Sequence, residues 1–500
     1  MPMIKYVFLD VYNLYNCWLR FFLTTHGAIC SLSFLLFSCK DARVKESTVE
    51  FRVGNMKSIA KASDSSYISW KEHIIDDTSM SNGKISGSDG LIMDDLDNDG
   101  FLDIISVHEA DTKYDGIAKG LIRIAYGSKD PDKWQLVTLA EGSEAGAVED
   151  IAAYDMNGDG YLDLVAACEL SHLIYFENPR DSIRNTNWKR LIPSITEERG
   201  SFIRVFISDL NGDGKAEVIA PNKGSQVGNS EGATPNPISY FEISGNPLID
   251  STWKEHVLIK VLVPINSQPV DIDRDGDMDI IAGSRGEGRI ILLENVSRDS
   301  ILFKNHDVMI SDNQKAPITG FNLDFLDLNG DGLVDVAMND LKGGILWLEQ
   351  PENWSDVWTA HNIGNVAPDH LVGLLAADIN NDGYIDFMTG SYSGGPRDKD
   401  GEDVTNNDRL GRLAWFEHPK DLKKPWIRHD ISRRKRGMFD KFEAKDMDGD
   451  GDIDFISTRG NSMPYDGVFW LEQVRSKRAL PSFSRARLSD SEEMGLPDGY

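Results

Sequence analysis

Beyond residue 40 the chain has one cysteine, Cys168; the other three, Cys17, Cys30 and Cys39, come earlier. The body therefore has no disulfide framework and no cysteine cluster for a metal. Long apolar runs are scarce too. Residues 28–38 (AICSLSFLLFS) form one, but a bilayer span takes roughly 20 apolar residues. Positive charge is in short supply: 52 Lys and Arg stand against 81 Asp and Glu, a formal net charge of −29. Such a chain has no electrostatic footprint for nucleic acid, and no nucleic-acid partner is expected. Its one basic cluster, Arg433-Arg434-Lys435-Arg436, is read as a solvated loop. A nucleophile elbow, a phosphate-cradling glycine loop, a paired-histidine zinc helix and a dinucleotide fingerprint are all missing. No local constellation points to catalysis.

What is present is a repeat. Asp446-Met447-Asp448-Gly449-Asp450-Gly451-Asp452-Ile453-Asp454 is the cleanest of seven copies of D-x-[D/N]-x-D-G-x-x-[D/E]. Position 5 is Asp and position 6 is Gly in all seven. Positions 1, 3, 5 and 9 are the candidate metal ligands. In chain order they are Asp95, Asp97, Asp99 and Asp103; Asp155, Asn157, Asp159 and Asp163; Asp209, Asn211, Asp213 and Glu217; Asp271, Asp273, Asp275 and Asp279; Asp327, Asn329, Asp331 and Asp335; Asp378, Asn380, Asp382 and Asp386; and Asp446, Asp448, Asp450 and Asp454. Calcium takes about six to eight oxygen ligands. Carboxylates or amides at 1, 3, 5 and 9, with a backbone carbonyl at 7, suit it. Glycine at 6 allows the sharp turn. The loops offer no nitrogen or sulfur ligand, which argues against zinc and copper. The expectation is up to seven structural Ca²⁺. These nine-residue loops hold 26 of the acidic residues, so seven divalent ions would bring −29 to about −15.

An EF-hand shares the first nine positions but needs Glu at position 12. Here that position is Ser106, Ala166, Ala220, Ala282, Met338, Thr389 and Ser457, and β-type runs follow at once. Each loop therefore joins two strands. Next comes an aromatic strand, such as Leu173-Ile174-Tyr175-Phe176-Glu177-Asn178, and then a strand opening with Trp134, Trp188, Trp253, Phe303, Trp358 or Trp426. Repeat starts lie 51 to 68 residues apart. Four-stranded units repeated radially predict an all-β, seven-bladed β-propeller over residues 66–475. The seventh unit has no Trp-led strand after Gln473, while an orphan one, Trp70-Lys71-Glu72-His73-Ile74-Ile75, precedes the first unit. The N-terminal strand is expected to complete the last blade and close the ring. Residues 476–500 are read as a flexible tail.

Ahead of the ring, residues 1–38 read as a signal peptide of lipoprotein type, since Leu36-Phe37-Ser38-Cys39 resembles a lipobox with Cys39 as the lipidation site. Residues 39–65 read as a polar tether. The expected location is the outer membrane or cell surface as a lipoprotein, otherwise the periplasm or medium. Contact with membrane is expected only through that lipid, and the protein is expected to be a monomer.

The loops and their spacing resemble the FG-GAP/VCBS-type repeats of integrin-α-like propellers in bacterial secreted form. The literal Phe-Gly and Gly-Ala-Pro signatures are absent, so only the calcium half of the motif transfers. The resemblance implies ions between the first two strands of each blade, on one face, with ligands handled on the other.

Connections on that other face vary in length, which is where binding resides on a rigid scaffold. Five histidines (His73, His256, His306, His361 and His429) share one phase, where Val137 and Leu191 stand in the other two copies. A position that accepts Val and Leu is a packing position. His108, His172 and His370 are out of phase. With Tyr114, Tyr392, Tyr465, Arg285 and Arg459 they form the pool for any catalytic role. The favoured expectation is a non-catalytic propeller binding a glycan or an extracellular protein. The alternative is a carbohydrate lyase or dehydratase, since propellers of similar build occur among polysaccharide lyases and in aldos-2-ulose dehydratase. An elimination needs a base and a cation at the sugar carboxylate. Convergence of His or Tyr with Arg at the channel mouth would mark it.

Overall fold

The computed structural model describes residues 52–80, 85–110, 119–185, 187–225, 232–297, 300–311, 319–340, 343–395 and 403–499. Their strands form seven sheets. Blade one consists of Ser88–Asp94, Asp103–His108, Leu121–Tyr126 and Gln135–Glu141, paired in that order. Blades two to six repeat the antiparallel pattern, with inner strands Val148–Tyr154, Phe206–Ser208, Pro264–Val270, Leu323–Leu326 and His370–Ala377. In blade seven Phe442–Lys445, Asp454–Arg459 and Gly467–Ser476 are followed by Tyr67–Asp77 from the other end of the chain. Trp70 pairs with Gln473 in that antiparallel register. The ring closes as its orphan strand predicted, and the blade edge is covered.

Burial explains the repeat. The second strands are buried along their whole length, as in Asp103–His108 and Asp163–Cys168, because neighbouring blades cover both faces. Seven apolar clusters result, one at each blade junction. The last joins Ile75, Ile456, Val468 and Trp470 of blade seven to Leu91, Ile104 and Ala125 of blade one. The tryptophans that open outer strands cap these junctions. Trp188 Nε1 donates to Ile183 O at 3.1 Å and Trp253 Nε1 to Pro247 O at 2.8 Å, so the polar ends of these two buried indoles are satisfied.

The phased histidines lie across the outer pairing. His256, His361 and His429 bond Glu242, Glu349 and Glu417 at 2.9, 2.7 and 2.7 Å. Their rings lie over Tyr240, Trp347 and Trp415 at 4.6, 4.3 and 4.4 Å. His73 makes the same pair with Glu472 and stacks on Trp470.

Three expectations are corrected. The C-terminal stretch is packed rather than a flexible tail: Phe483–Ser484 adds a fifth, parallel strand beside Tyr67–Asp77, and Phe483 and Met494 are buried. Residues 52–65 do not extend away as the end of a tether. The Val53 N–H donates to Met494 O at 2.9 Å, and Ala60 and Ala62 enter the core between blades six and seven. The basic tetrad is not a solvated loop. Arg433, Arg434 and Arg436 are 0, 1 and 4 % exposed. Arg433 bonds Asp369 at 2.7 Å, and Arg434 meets Glu72 at 2.6 Å, Asp490 at 3.3 Å and Glu493 at 3.7 Å. The arginines hold both ends of the chain against blades six and seven, and carboxylates from three separate segments make their burial tolerable. The expected signal segment, Cys39 and the first part of the tether lie outside the described residues.

Candidate functional site

In every blade the repeat loop follows the inner strand at once, and position 9 is the first residue of the second strand. All seven loops therefore emerge on one face. Six of the seven share one internal bonding pattern. The position 1 carboxylate accepts backbone N–H groups from positions 5 and 6, as in Asp99 and Gly100 to Asp95 at 3.1 and 2.9 Å. In blade four the Asp275 N–H donates to Asp273 instead, and only Gly276 reaches Asp271. Glycine at position 6 is required, because its φ lies between 82° and 94° in all seven copies. Position 4 is left-handed as well, at Asn98, Gly158, Gly212, Arg274, Gly330, Asn381 and Gly449. That requirement went unread in the sequence, although Gly or Asn in six copies was its signal.

The position 9 carboxylates are buried and tie loop to blade. Asp279 accepts the N–H of Ile272 at 3.1 Å and of Asn295 at 2.8 Å; Asp454 accepts those of Met447 and Gln473, both at 2.8 Å. Burial pushes Asp103, Asp163, Glu217, Asp279 and Asp454 up to about 7, Asp386 to about 8 and Asp335 to about 6. Amides at the third-strand ends reach into the preceding blade's loop. Asn178, Asn295, Gln350 and Gln473 donate to the position 2 carbonyls of Leu96, Leu210, Ile272 and Ile379 at 2.8–3.0 Å. Loop shape is thereby coupled to the blade junctions.

The oxygen sets fit a hard divalent cation. Ligand oxygens of Asp95, Asp97 and Asp99, of Asp271, Asp273 and Asp279, and of Asp446, Asp448 and Asp454 lie within 4.8 Å of one another. Buried oxygens of Asp97, Asp271, Asp277 and Asp452 have no hydrogen-bond partner. Crowded, partly unbonded carboxylates are costly unless a cation completes them.

The opposite face holds the first residues of the inner strands and the ends of the second strands. There the described members of the sequence-derived pool stand in several separate settings. His108 is fully buried between the hydroxyls of Ser88 and Ser106, at 2.7 and 3.0 Å, and burial together with the charge of Arg123 lowers it to about 3. His172 is buried against Ser171 and Glu144 O, and burial lowers it too. Both are interior groups. Arg459 bonds Asp490 at 2.6 Å and lies 5.6 Å from the Tyr465 ring, tied to the C-terminal clasp. Arg285 lies 5.1 Å from the Phe321 ring, and His370 pairs with Tyr392 across the blade six ladder. Tyr114 lies outside the described residues.

At the mouth Tyr392 of that pool meets three carboxylates outside it. Carboxylate oxygens of Asp89, Glu109 and Glu149 come within 4.8 Å of one another. Burial raises Glu149, against the pull of Lys223 and Arg204. Tyr392 is raised by burial and then by the charges of Asp89 and Glu149, with Arg436 opposing. The neighbouring cations are committed: Arg204 bonds Asp440 at 2.9 Å, and Lys223 pairs with Glu169. Asp89 and Glu149 are 60 positions apart in the sequence, and the packing of the inner strands of neighbouring blades one and two brings them together.

Seven four-stranded blades with a D-x-D-type loop after each inner strand define a β-propeller of repeat type. More particularly, residues 95–166 and 327–389 match the family model described as FG-GAP-like repeat. The first match runs from the blade one loop into the second strand of blade two, and the second does the same for blades five and six. No curated protein matches the chain. Similar solved structures include two crystal structures of BBS1N in complex with ARL6DN. The one soaked with lead has 11 % identity, a TM-score of 0.42, and covers 79 % of this chain and 95 % of its own. The one soaked with mercury has 10 % identity, a TM-score of 0.41, and covers 79 % and 96 %.

Proposed function

We propose that this protein is an exported, calcium-stiffened FG-GAP propeller that binds a glycan or an extracellular protein, without catalysis, on the face opposite its loops. The observation that carries the calcium reading is the repeated acidic loop, with buried carboxylate oxygens that lack hydrogen-bond partners in blades one, four and seven. Calcium bound only by the folded ring adds stability by linkage. The ions are structural, and each loop passes its rigidity to a blade junction through the position 9 carboxylate and, at four junctions, the third-strand amide.

Non-catalysis is favoured because the out-of-phase His108 and His172 are locked in the interior, away from any substrate. The ligand class follows from the mouth. Arg204, Lys223 and Arg459 already have carboxylate partners, so an acidic sugar would find no uncommitted cation among them. Glu149 and Tyr392, half-buried beside the buried Asp89 and Glu109, suit hydroxyl groups of a neutral or amino sugar instead. The reading includes anchoring by lipid at Cys39 and a monomeric state. Incubation of the protein in calcium buffer with neutral, amino and acidic glycans, followed by NMR of the glycan, tests it. Broadened signals for neutral or amino glycans without new product are expected. Unsaturated or dehydrated products would replace this reading with the lyase or dehydratase one.

A further inference from the structure

The seven loops are not equivalent. Position 7, which needs to supply only a backbone carbonyl, is Phe101, Tyr161, Lys215, Leu333 and Tyr384 in blades one, two, three, five and six. In blades four and seven it is Asp277 and Asp452. These two side chains are 4 and 3 % exposed. Neither carboxylate oxygen of Asp277 has a hydrogen-bond partner, and the charges acting on it are those of Asp275, Asp273 and Asp271 in its own loop. Oδ2 of Asp452 lies 3.2 Å from Arg475 Nε, while its Oδ1 is buried and unbonded. Burying a carboxylate among carboxylates is strongly unfavourable without a cation. In these two loops the oxygens of positions 1, 3 and 9 come within 4.8 Å of one another, and in blade one those of positions 1, 3 and 5 do.

As Arg475 does in blade seven, the chain sets its own cations on the loops of blades one, two and six. Arg184 bonds Asp97 and Asp99 at 2.7 and 2.9 Å in blade one. Arg180 takes Asp159 at 2.6 Å in blade two, and Lys420 takes Asp382 at 3.0 Å in blade six. Each of these pairs must loosen, or share its carboxylate, when an ion binds. Affinity in oxygen-ligand calcium loops is tuned by the number of ligand charges and by rigidity.

We infer that the loops of blades four and seven are the two high-affinity calcium sites of the ring, set apart by a fifth carboxylate at Asp277 and Asp452. The inference rests on the calcium reading and adds an order of filling to it. Blade seven is the blade built from both ends of the chain, and blade four lies across the ring from it. The first two ions therefore pin the closure and the far side of the ring, and the remaining loops respond at higher calcium.

Flow dialysis of ⁴⁵Ca²⁺ against the EDTA-stripped full chain reads this directly. Two ions are expected to bind on the order of tenfold more tightly than the rest, given the charge dependence of such loops. Asp277→Asn and Asp452→Asn, which keep the side-chain shape, should each move one ion from the tight class to the weak class. The double variant should have no tight class and an unchanged total, with an unchanged circular dichroism spectrum. A single class of equivalent sites in the wild-type chain, or variants that leave the tight class at two, overturns the inference while calcium binding stands. No bound calcium at all overturns the calcium reading and the inference together.

Discussion

Arg434→Met is the most informative single change in the ring's closure. Arg434 is 1 % exposed; its guanidinium meets Glu72, Asp490 and Glu493 and lies 4.8 Å from the Phe483 ring. Glu72 belongs to the N-terminal strand of blade seven, and Asp490 and Glu493 belong to the C-terminal clasp. Methionine keeps much of the volume and removes the charge. Asp490 keeps Arg459 at 2.6 Å, but Glu72 loses its buried cation. Removing one partner of a buried ion pair costs about 3–5 kcal/mol, because the other charge is left uncompensated. Unfolding entropy of about 2.1 cal/mol/K per residue over roughly 450 residues gives about 0.9 kcal/mol/K. The expected fall in melting temperature is therefore about 3–5 °C by scanning calorimetry in calcium buffer. Lys435→Met is the control: its 3.1 Å pair with Glu492 is partly exposed, and such pairs contribute about 0–1 kcal/mol. If Arg434→Met melts within about 1 °C of Lys435→Met, the clasp does not hold the closure.

Two further outcomes follow from the loops. The position 9 carboxylates are pushed up by burial to about 7 at Asp103, Asp163, Glu217, Asp279 and Asp454. Without divalent ions the folded ring then binds more protons than the unfolded chain between about pH 4 and 7, so stability falls as pH rises through that window. In EDTA the protein should melt higher at pH 5 than at pH 7.5, and added calcium should raise melting more at pH 7.5, since protons and calcium compete; the reverse order contradicts the burial argument. Asn295→Ala removes the 2.8 Å bond to Leu210 O and leaves that carbonyl unsatisfied, at about 1–3 kcal/mol. It should lower both the melting temperature and the calcium affinity of the blade three loop, and unchanged calcium affinity would show that loop and junction are not coupled.

The ring was legible because its signals are periodic. Position 5 Asp, position 6 Gly and the Trp-led outer strand recur in phase, and the orphan Trp70 strand named its own partner. What escaped was set by contacts with no sequence period. Arg433 and Arg434 look like any basic turn until Asp369, Glu72, Asp490 and Glu493 arrive from elsewhere in the chain. Residues 476–499 show no repeat, yet Phe483 and Met494 anchor them. His108 was singled out because it broke the histidine phase; the cause is that it ends a second strand buried on both faces. The mouth carboxylates Asp89 and Glu149 sit one residue into their inner strands, and no local pattern marks them.

Native mass spectrometry of the EDTA-stripped protein, retitrated with calcium and melted at each step, tests the central claim most directly. The account predicts discrete additions of calcium, up to seven, with melting temperature rising as they bind. A protein that takes up no calcium, or that takes it up with no change in melting, would contradict it.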